Sequence, residues 1–273
     1  MRVAFQGEPG AYSEEAIRLF EGSSTERLPR KSFQAVFDAV TSGAASSAVI
    51  PIENSIAGPV IENQDLLLQH SLSVTGETVV RVRHCFLTKP QQALGSVRTV
   101  HSHPQALSQC AKFIEAHRLL AVPEYDTAGS AKLLSEGSLY PGSAAIASRA
   151  AAEIYGLEVQ AEGIEDRENH TRFYRIGPDP LPAEQGQKTA IAFSIANAPG
   201  ELSRAIGAFA HRNINIFRIF SRPDPRQQWS YLFYLEFEKT PADAVCAEAL
   251  AELGTVASMV RNFGSYSAFS ART

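Results

Sequence analysis

Hydrophobic residues recur along this chain with two periods that take turns. Short runs such as "RVAF" (2–5), "SAVIPI" (47–52), "VRTV" (97–100) and "SAAIA" (143–147) read as strands. Between them, "SEEAIRLF" (13–20), "QALSQCAKFIEAH" (105–117) and "AAAEIYG" (150–156) space their apolar residues as amphipathic helices do. The alternation predicts an α/β domain. "SVTGETVVRVRHCFLT" (73–88) is extended throughout but too long for one strand. It is expected to carry the chain between two lobes, leaving a cleft in the middle.

A second pattern follows "IGPDPLPAEQGQKTA", whose prolines and glycines make residues 177–188 the best linker. "TAIAFSIAN" (189–197) alternates as a strand, and "PGELSRAIGAFAHR" (199–212) sets Leu202, Ile206 and Phe209 on one helical face, with Pro199 in the first turn. Strands at "NINIFRIFS" (213–221) and "WSYLFYLEF" (229–237) come next. A helix "PADAVCAEALAEL" (241–253), opened by Thr240 and Pro241, and a last strand near "TVASMVRNF" (255–263) complete a βαββαβ order, the ferredoxin-like arrangement. Domains are therefore expected at 1–178 and 188–268, and a cut near Gln187 is expected to leave the first one working.

Composition narrows the class. The 273 residues are 44% hydrophobic and 20% charged, with a net charge of −4 and no apolar run long enough to span a bilayer. No basic stripe with interleaved aromatics suggests nucleic acid. The start "MRVAFQGEPG" reads as a strand and turn rather than a secretory signal, which gives the expectation of a cytoplasmic protein. Cys85, Cys110 and Cys246 are too scattered for a disulfide framework or a zinc pattern, and the histidines, His84 among them, lack metal-ligand spacing. A small ligand, and no metal, is implied.

Several strand ends run into residues suited to capping helices: Asn54 and Ser55, Ser102 and His103, Asp126 and Thr127, and Ser148. Each can serve as a plain cap, but together they offer N–H groups and helix dipoles to an anion. His103 reads as an anion donor or general acid, or equally as a cap with its ring in solvent; Gln105 adds a donor in the same turn. Within "EDRENHTRFYRIG" (165–177), Thr171 and Arg172 head a strand-like run without the context of an activated nucleophile. From the pattern alone, Thr171 suits a strand by propensity.

Taken together, "NHTRF" (169–173), "PIENSIAGPV" (51–60), "SHPQAL" (102–107), "DTAGSA" (126–131) and "AAIAS" (144–148) resemble prephenate dehydratase, and "QGEPGAYSEEA" (6–16) is similar to that family's opening. The tail from about 188 to 266 is similar to an ACT regulatory domain. The resemblance implies a two-lobed catalytic domain like type II periplasmic binding proteins, turning prephenate, a dicarboxylate, into phenylpyruvate with loss of water and carbon dioxide and with no cofactor. It further implies that Thr171 assists the leaving hydroxyl and that Asn54, Ser55, His103, Gln105, Thr127, Ser148, Arg172 and Phe173 surround the substrate. Because neighbours in a strand face opposite sides, Arg172 can equally point away from Thr171.

For the tail, the resemblance implies an amino-acid effector, phenylalanine first, at Gly200, Leu202, Asn215, Ser221 and Arg222, and a homodimer or homotetramer. Three positions depart from the family's pattern: Glu201 replaces a small residue, Phe220 a glutamate, and Phe217 a frequent threonine. Two other readings stand beside this one. Arogenate dehydratase differs by an amino group on the substrate, and a non-catalytic module would bind an anion and sense an amino acid without needing "NHTRF".

Overall fold

The structure, a computed structural model, describes residues 1–224 and 230–268. Lobe one contains β1 (Arg2–Gln6), β2 (Glu26–Arg30), β3 (Ser47–Asn54), β4 (Gly58–Pro59), β5 (Ser73–Arg81) and, returning late in the chain, β11 (His170–Gly177). They form one sheet in the order β2-β1-β3-β11-β5, with β4 paired to β3. Helix α1 (Tyr12–Glu21) covers one face through Ala16 and Ile17, while α2 (Phe33–Thr41) and α3 (Ile61–Gln69) cover the other.

Lobe two contains β6 (Cys85–Thr88), β7 (Thr99–Ser102), β8 (Leu120–Pro123), β9 (Ser143–Ala147) and β10 (Glu158–Glu162), ordered β10-β6-β9-β7-β8. Helices α4 (Pro104–Gln109) and α5 (Ala111–Ala116) pack on one face, and α6 (Thr127–Glu136) and α7 (Arg149–Tyr155) on the other. The single helix expected over 105–117 is thus two. Its break at Cys110 has a local cause: the Asp166 N–H takes the Gln109 carbonyl at 2.7 Å, and the Asp166 carboxylate accepts from the Lys112 N–H at 3.2 Å.

The extended run 73–88 divides between the two sheets, with residues 82–84 crossing from one lobe to the other and residues 163–169 crossing back. The crossovers are tied by Val82 N–H to Asn169 O at 2.8 Å and Gly163 N–H to His84 O at 2.9 Å. Nearer the cleft, the lobes touch at Gly10. Its φ of +91° suits glycine, and a Cβ there would lie 2.6 Å from Ala151 Cα.

The C-terminal unit runs β12 (Lys188–Ala196), α8 (Glu201–Ala210), β13 (Ile216–Pro223), β14 (Ser230–Glu238), α9 (Ala244–Val256), β15 (Met259–Tyr266), an antiparallel sheet ordered β13-β14-β12-β15. Trp229, expected in the third strand, lies outside the described residues. Ile191, Phe193 and Ile195 face Ala205, Ala208 and Phe209 of α8, whereas Leu202 stays 38% exposed. Helix α9 starts later than Thr240 suggests, because Asp243 caps it by accepting from Val245 N–H at 2.9 Å.

The other face of this sheet is not free. Ala190, Ala192, Leu232, Tyr234, Phe263 and Tyr266 share one buried cluster with Ile50, Ile52, Leu66, Leu67, Val74, Tyr174 and Ile176 of lobe one. Linker composition therefore does not mark a clean cut: a single apolar core spans both units. With each fully buried large side chain worth roughly 1.5–3 kcal/mol, truncation after Gln187 is expected to give an aggregating or strongly destabilised chain. Calorimetry of the intact protein should melt lobe one and the C-terminal unit in one transition; two well-separated transitions would contradict the shared core.

Candidate active site

A cleft of about 580 Å³ lies between the lobes, and Thr171, Phe173, Pro51 and Asn54 line it from the sheet of lobe one. Thr171 and Phe173 are two apart on β11, the spacing that keeps side chains on one face. Pro51 and Asn54 are three apart on β3, which an unbroken strand cannot put on one face. A bulge resolves this: Thr171 pairs with Asn54 and Arg172 with Glu53, but Phe173 pairs with Pro51. The extra residue turns Asn54 into the cleft, where its Nδ2 donates to Thr171 Oγ1 at 3.0 Å. Having accepted that bond, Thr171 has no protein acceptor for its own proton among the described residues.

Helices start around the rest of the cleft. First-turn residues of α1 (Tyr12, Ser13), α2 (Phe33), α3 (Glu62) and α6 (Thr127, Ala128) line it, as do His103, Gln105 and Ser148 from the ends of the shorter α4 and α7. Their N–H groups and dipoles favour an anion. His103 Nδ1 accepts from Gln105 N–H at 3.2 Å, and Ser148 Oγ accepts from Ala151 N–H at 3.0 Å while donating to Gly10 O at 2.6 Å across the lobes. Asp126 caps α6 through Gly129 N–H at 2.7 Å. Burial pushes its carboxyl up, against the pull of that backbone bond. Asn54 is not a helix cap; its Oδ1 closes a turn by accepting from Ile56 and Ala57 N–H at 3.1 and 3.0 Å. Ser102 is buried in β7, donating to Ile146 O at 2.7 Å, and leaves the cap to His103.

Two residues expected at the substrate are elsewhere. Ser55 does not line the cleft; its Oγ accepts from His170 N–H at 2.9 Å and so anchors the start of β11. Arg172, on the opposite face from Thr171, is turned to the C-terminal sheet. There it makes a two-pronged pair with Glu236 of β14, with Nη2 to Oε1 at 2.8 Å, and ion pairs with Glu53 and Glu77 at 3.1 Å each. Arg218 of β13 joins Glu53 at 3.4 Å and Glu236 at 2.9 Å, and Lys188 of β12 reaches Glu77 at 2.5 Å. Burial alone would raise the Glu236 carboxyl; hydrogen bonds from Arg172 and the nearby Arg218 outweigh it and hold the group down at about 2.

Sequence reasoning also passed over cleft residues. Tyr12 and Ser13 belong to a segment that lacks phosphate-loop spacing, yet it follows the same rule as the others, a strand ending in a turn that opens a helix. Lys31 and Ser32 follow β2, whose Pro29 masks its strand character. Lys31 is exposed in the cleft and has no ion-pair partner among the described residues. The three cysteines are buried and absent from the cleft lining. Among the described residues, no three His, Cys, Asp or Glu are grouped to share a metal, and no helix is long and apolar enough to cross a membrane.

Comparison with known proteins then decides the family. The family model described as "Prephenate dehydratase" matches residues 3–180. The chain belongs to the prephenate dehydratase family. A relative from Arabidopsis thaliana, "Arogenate dehydratase/prephenate dehydratase 2, chloroplastic", is 40% identical over 97% of this chain and 72% of its own length. Among solved structures, prephenate dehydratase from Arthrobacter aurescens in complex with L-Phe is similar at 29% identity and TM-score 0.90, over 98% of this chain and 90% of that one. A structure described as "GqqA- a novel type of quorum quenching acylases" is similar at 35% identity and TM-score 0.89, over 97% of each chain.

Family membership makes the chain an enzyme, a lyase, and sets the pure binding module aside. In this member of the prephenate dehydratase family the residues expected at an effector site are split. Gly200, with φ of +87°, caps α8, and Leu202, Asn215 and Ser221 are exposed. Arg222 is a correction: strand alternation turns it away from Ser221 toward lobe one, where it pairs with Asp65 of α3 at 2.7 Å. Phe220 points the same way and stacks on Tyr234 at 4.8 Å, which gives its departure from glutamate a packing reason.

The carboxyl of Glu236 lies below its usual 4.5, so its contribution to stability is complete above the unfolded-state value and is lost as pH falls toward 2. Denaturant midpoints should therefore drop across that window. Glu236→Gln removes the two-pronged partner of Arg172 and leaves it Glu53 and Glu77; it is expected to cost about 1.5–3 kcal/mol at pH 7 and to flatten the acid-side drop, and an unchanged acid limb would contradict the assignment.

Proposed function

We propose that the chain is a prephenate dehydratase, converting prephenate to phenylpyruvate, water and carbon dioxide. The observation that carries this reading is the Thr171 hydroxyl, which accepts from Asn54 Nδ2 at 3.0 Å and so has its own proton free for the cleft. In the reaction the bond from the ring to its carboxylate breaks as carbon dioxide leaves, and that electron pair enters the ring. The carbon–oxygen bond to the ring hydroxyl breaks as aromaticity forms, and the departing oxygen takes up a proton. A threonine hydroxyl is too weak an acid to give that proton up fully near neutral pH. Its role is a hydrogen bond that strengthens as the leaving oxygen gains charge, with solvent or His103 supplying the proton.

Helix starts suit the substrate's carboxylates. Lys31 is the cation available for the side-chain carboxylate, while Asn54, His103, Gln105, Thr127, Ser148 and Phe173 border the ring. The two-lobed form, with its paired crossovers, supports the type II periplasmic-binding-protein-like reading of residues 1–178. For residues 188–268 the βαββαβ order supports an ACT domain, and the L-Phe in the Arthrobacter aurescens complex supports phenylalanine as effector. Phe217 and Ile219, 47% and 40% exposed on the edge strand β13, support pairing of two copies there. A cytoplasmic setting is kept as part of this reading.

Arogenate is the second substrate to weigh, because a relative at 38% identity is named an arogenate dehydratase and the one at 40% carries both names. Its ammonium would need a carboxylate, and Glu62 and Asp126 both line the cleft. Acyl transfer of the kind named for GqqA is less favoured. No serine or threonine of the cleft has a histidine within hydrogen-bond reach among the described residues, as an activated nucleophile requires.

Thr171→Ala is expected to lower kcat on prephenate by about 10²-fold or more with little change in KM. Phenylpyruvate formation at near-normal rate by a folded variant would sink the assignment. Arogenate, assayed in parallel with and without phenylalanine, separates the two substrates and reads the effector.

A further inference from the structure

The hydrogen bond that holds Thr171 is one end of a chain whose direction can be derived bond by bond. Asn54 Oδ1 accepts from two backbone N–H groups, Ile56 and Ala57. Backbone N–H groups only donate, so the amide of Asn54 has one possible orientation. Its Nδ2 therefore donates to Asn169 Oδ1 at 2.7 Å as well as to Thr171. That fixes Asn169 in turn, and its Nδ2 donates to Gln109 Oε1 at 2.9 Å. The same Oε1 lies 3.0 Å from His84 Nε2, and an acceptor oxygen requires Nε2 to carry the proton. The Tyr12 hydroxyl is the outer end: its single proton is shared between Arg83 O at 2.7 Å and His84 Nδ1 at 3.2 Å, which the Nε2–H tautomer leaves as an acceptor.

This chain crosses the hinge. His84 and Asn169 sit on the two crossovers, Gln109 ends α4 of lobe two, and Asn54 and Thr171 belong to lobe one. His84, Asn169 and Asn54 are 2%, 1% and 7% exposed, so water does not replace these bonds cheaply. Burial keeps the His84 imidazole below its usual value, against the opposing effects of Gln109 and Glu165, which favours the neutral ring. Were Asn54 to turn over, Thr171 would donate its proton to Oδ1 and lose it for the cleft.

We propose that Asn169, Gln109 and His84 are positioning residues that lock Asn54, and through it the Thr171 hydroxyl, with the threonine proton directed at the substrate. The proposal rests on the dehydratase reading for its catalytic consequence, but the orientation of the relay is testable without turnover.

The decisive contrast is Gln109→Glu, which keeps an oxygen for both donors, against Gln109→Met, which has none. With prephenate, Gln109→Met should lose about 10-fold in kcat while KM stays within about twofold, and Gln109→Glu should restore most of the rate. Nitrogen-15 NMR of His84 should show the Nε2–H tautomer in the wild type. In Asn169→Asp the new carboxylate can no longer donate, so the Gln109 amide should turn over and His84 should switch to Nδ1–H. Normal kcat in a folded Gln109→Met, or His84 in the Nδ1–H form in the wild type, would overturn the relay. Should Gln109→Met fail to fold, the Asn169→Asp tautomer decides alone: a switch supports the relay and retention of Nε2–H overturns it. Should the wild type turn over neither prephenate nor arogenate, the dehydratase reading fails, while the tautomer measurement still tests the relay.

Discussion

Successive residues of a strand point to opposite faces, and β11 is used on both. Thr171 and Phe173 face the cleft, while Arg172 and Tyr174 face the C-terminal sheet. Such a strand cannot slip by one residue without burying a guanidinium in the cleft side and a threonine among carboxylates. The bulge in β3 is the matching device, since it lets Asn54 face forward while Glu53 stays with Arg172 and Arg218. The residues directly beside Thr171 and Asn54 are therefore gripped by β13 and β14. Arg172 and Glu53, one residue from Thr171 and Asn54, thus join the strands of the cleft to the C-terminal sheet.

The cleft proposed to take a dicarboxylate has few formal cations in its lining. Helix starts supply partial positive charge spread over N–H groups, and Lys31 adds one exposed ammonium to the lining. This suits decarboxylation. A tight two-pronged guanidinium on the departing carboxylate would stabilise the ground state more than the transition state, and the one arginine of the "TRF" segment is held on the other side of the sheet by Glu236.

What the sequence made legible followed from local rules. Strand and helix periods gave the α/β lobes and the βαββαβ order, and cap chemistry pointed to His103, Asp126 and Ser148. The rest depended on contacts distant in sequence. Asn54 meets Thr171 across 117 positions and Asn169 meets Gln109 across 60, so no local pattern announces the relay. His84 meets the Gln109 amide across 25 positions, a pairing that no spacing rule reveals. The bulge in β3 is invisible in "SAVIPIEN", and alternation could say that Arg172 opposes Thr171 without saying what would receive it. The linker misled because prolines describe the connection, not the faces it joins; Ala190, Leu232 and Phe263 bury themselves against lobe one regardless.

The most direct test of the central claim is an experimental structure of the protein with an unreactive dicarboxylate analogue of prephenate that keeps the ring hydroxyl. The account predicts that hydroxyl within hydrogen-bond distance of Thr171 Oγ1, with Asn54 Nδ2 still donating to Thr171 and Arg172 still paired with Glu236. An analogue seated away from Thr171, or Arg172 turned into the cleft to hold a carboxylate, would contradict it.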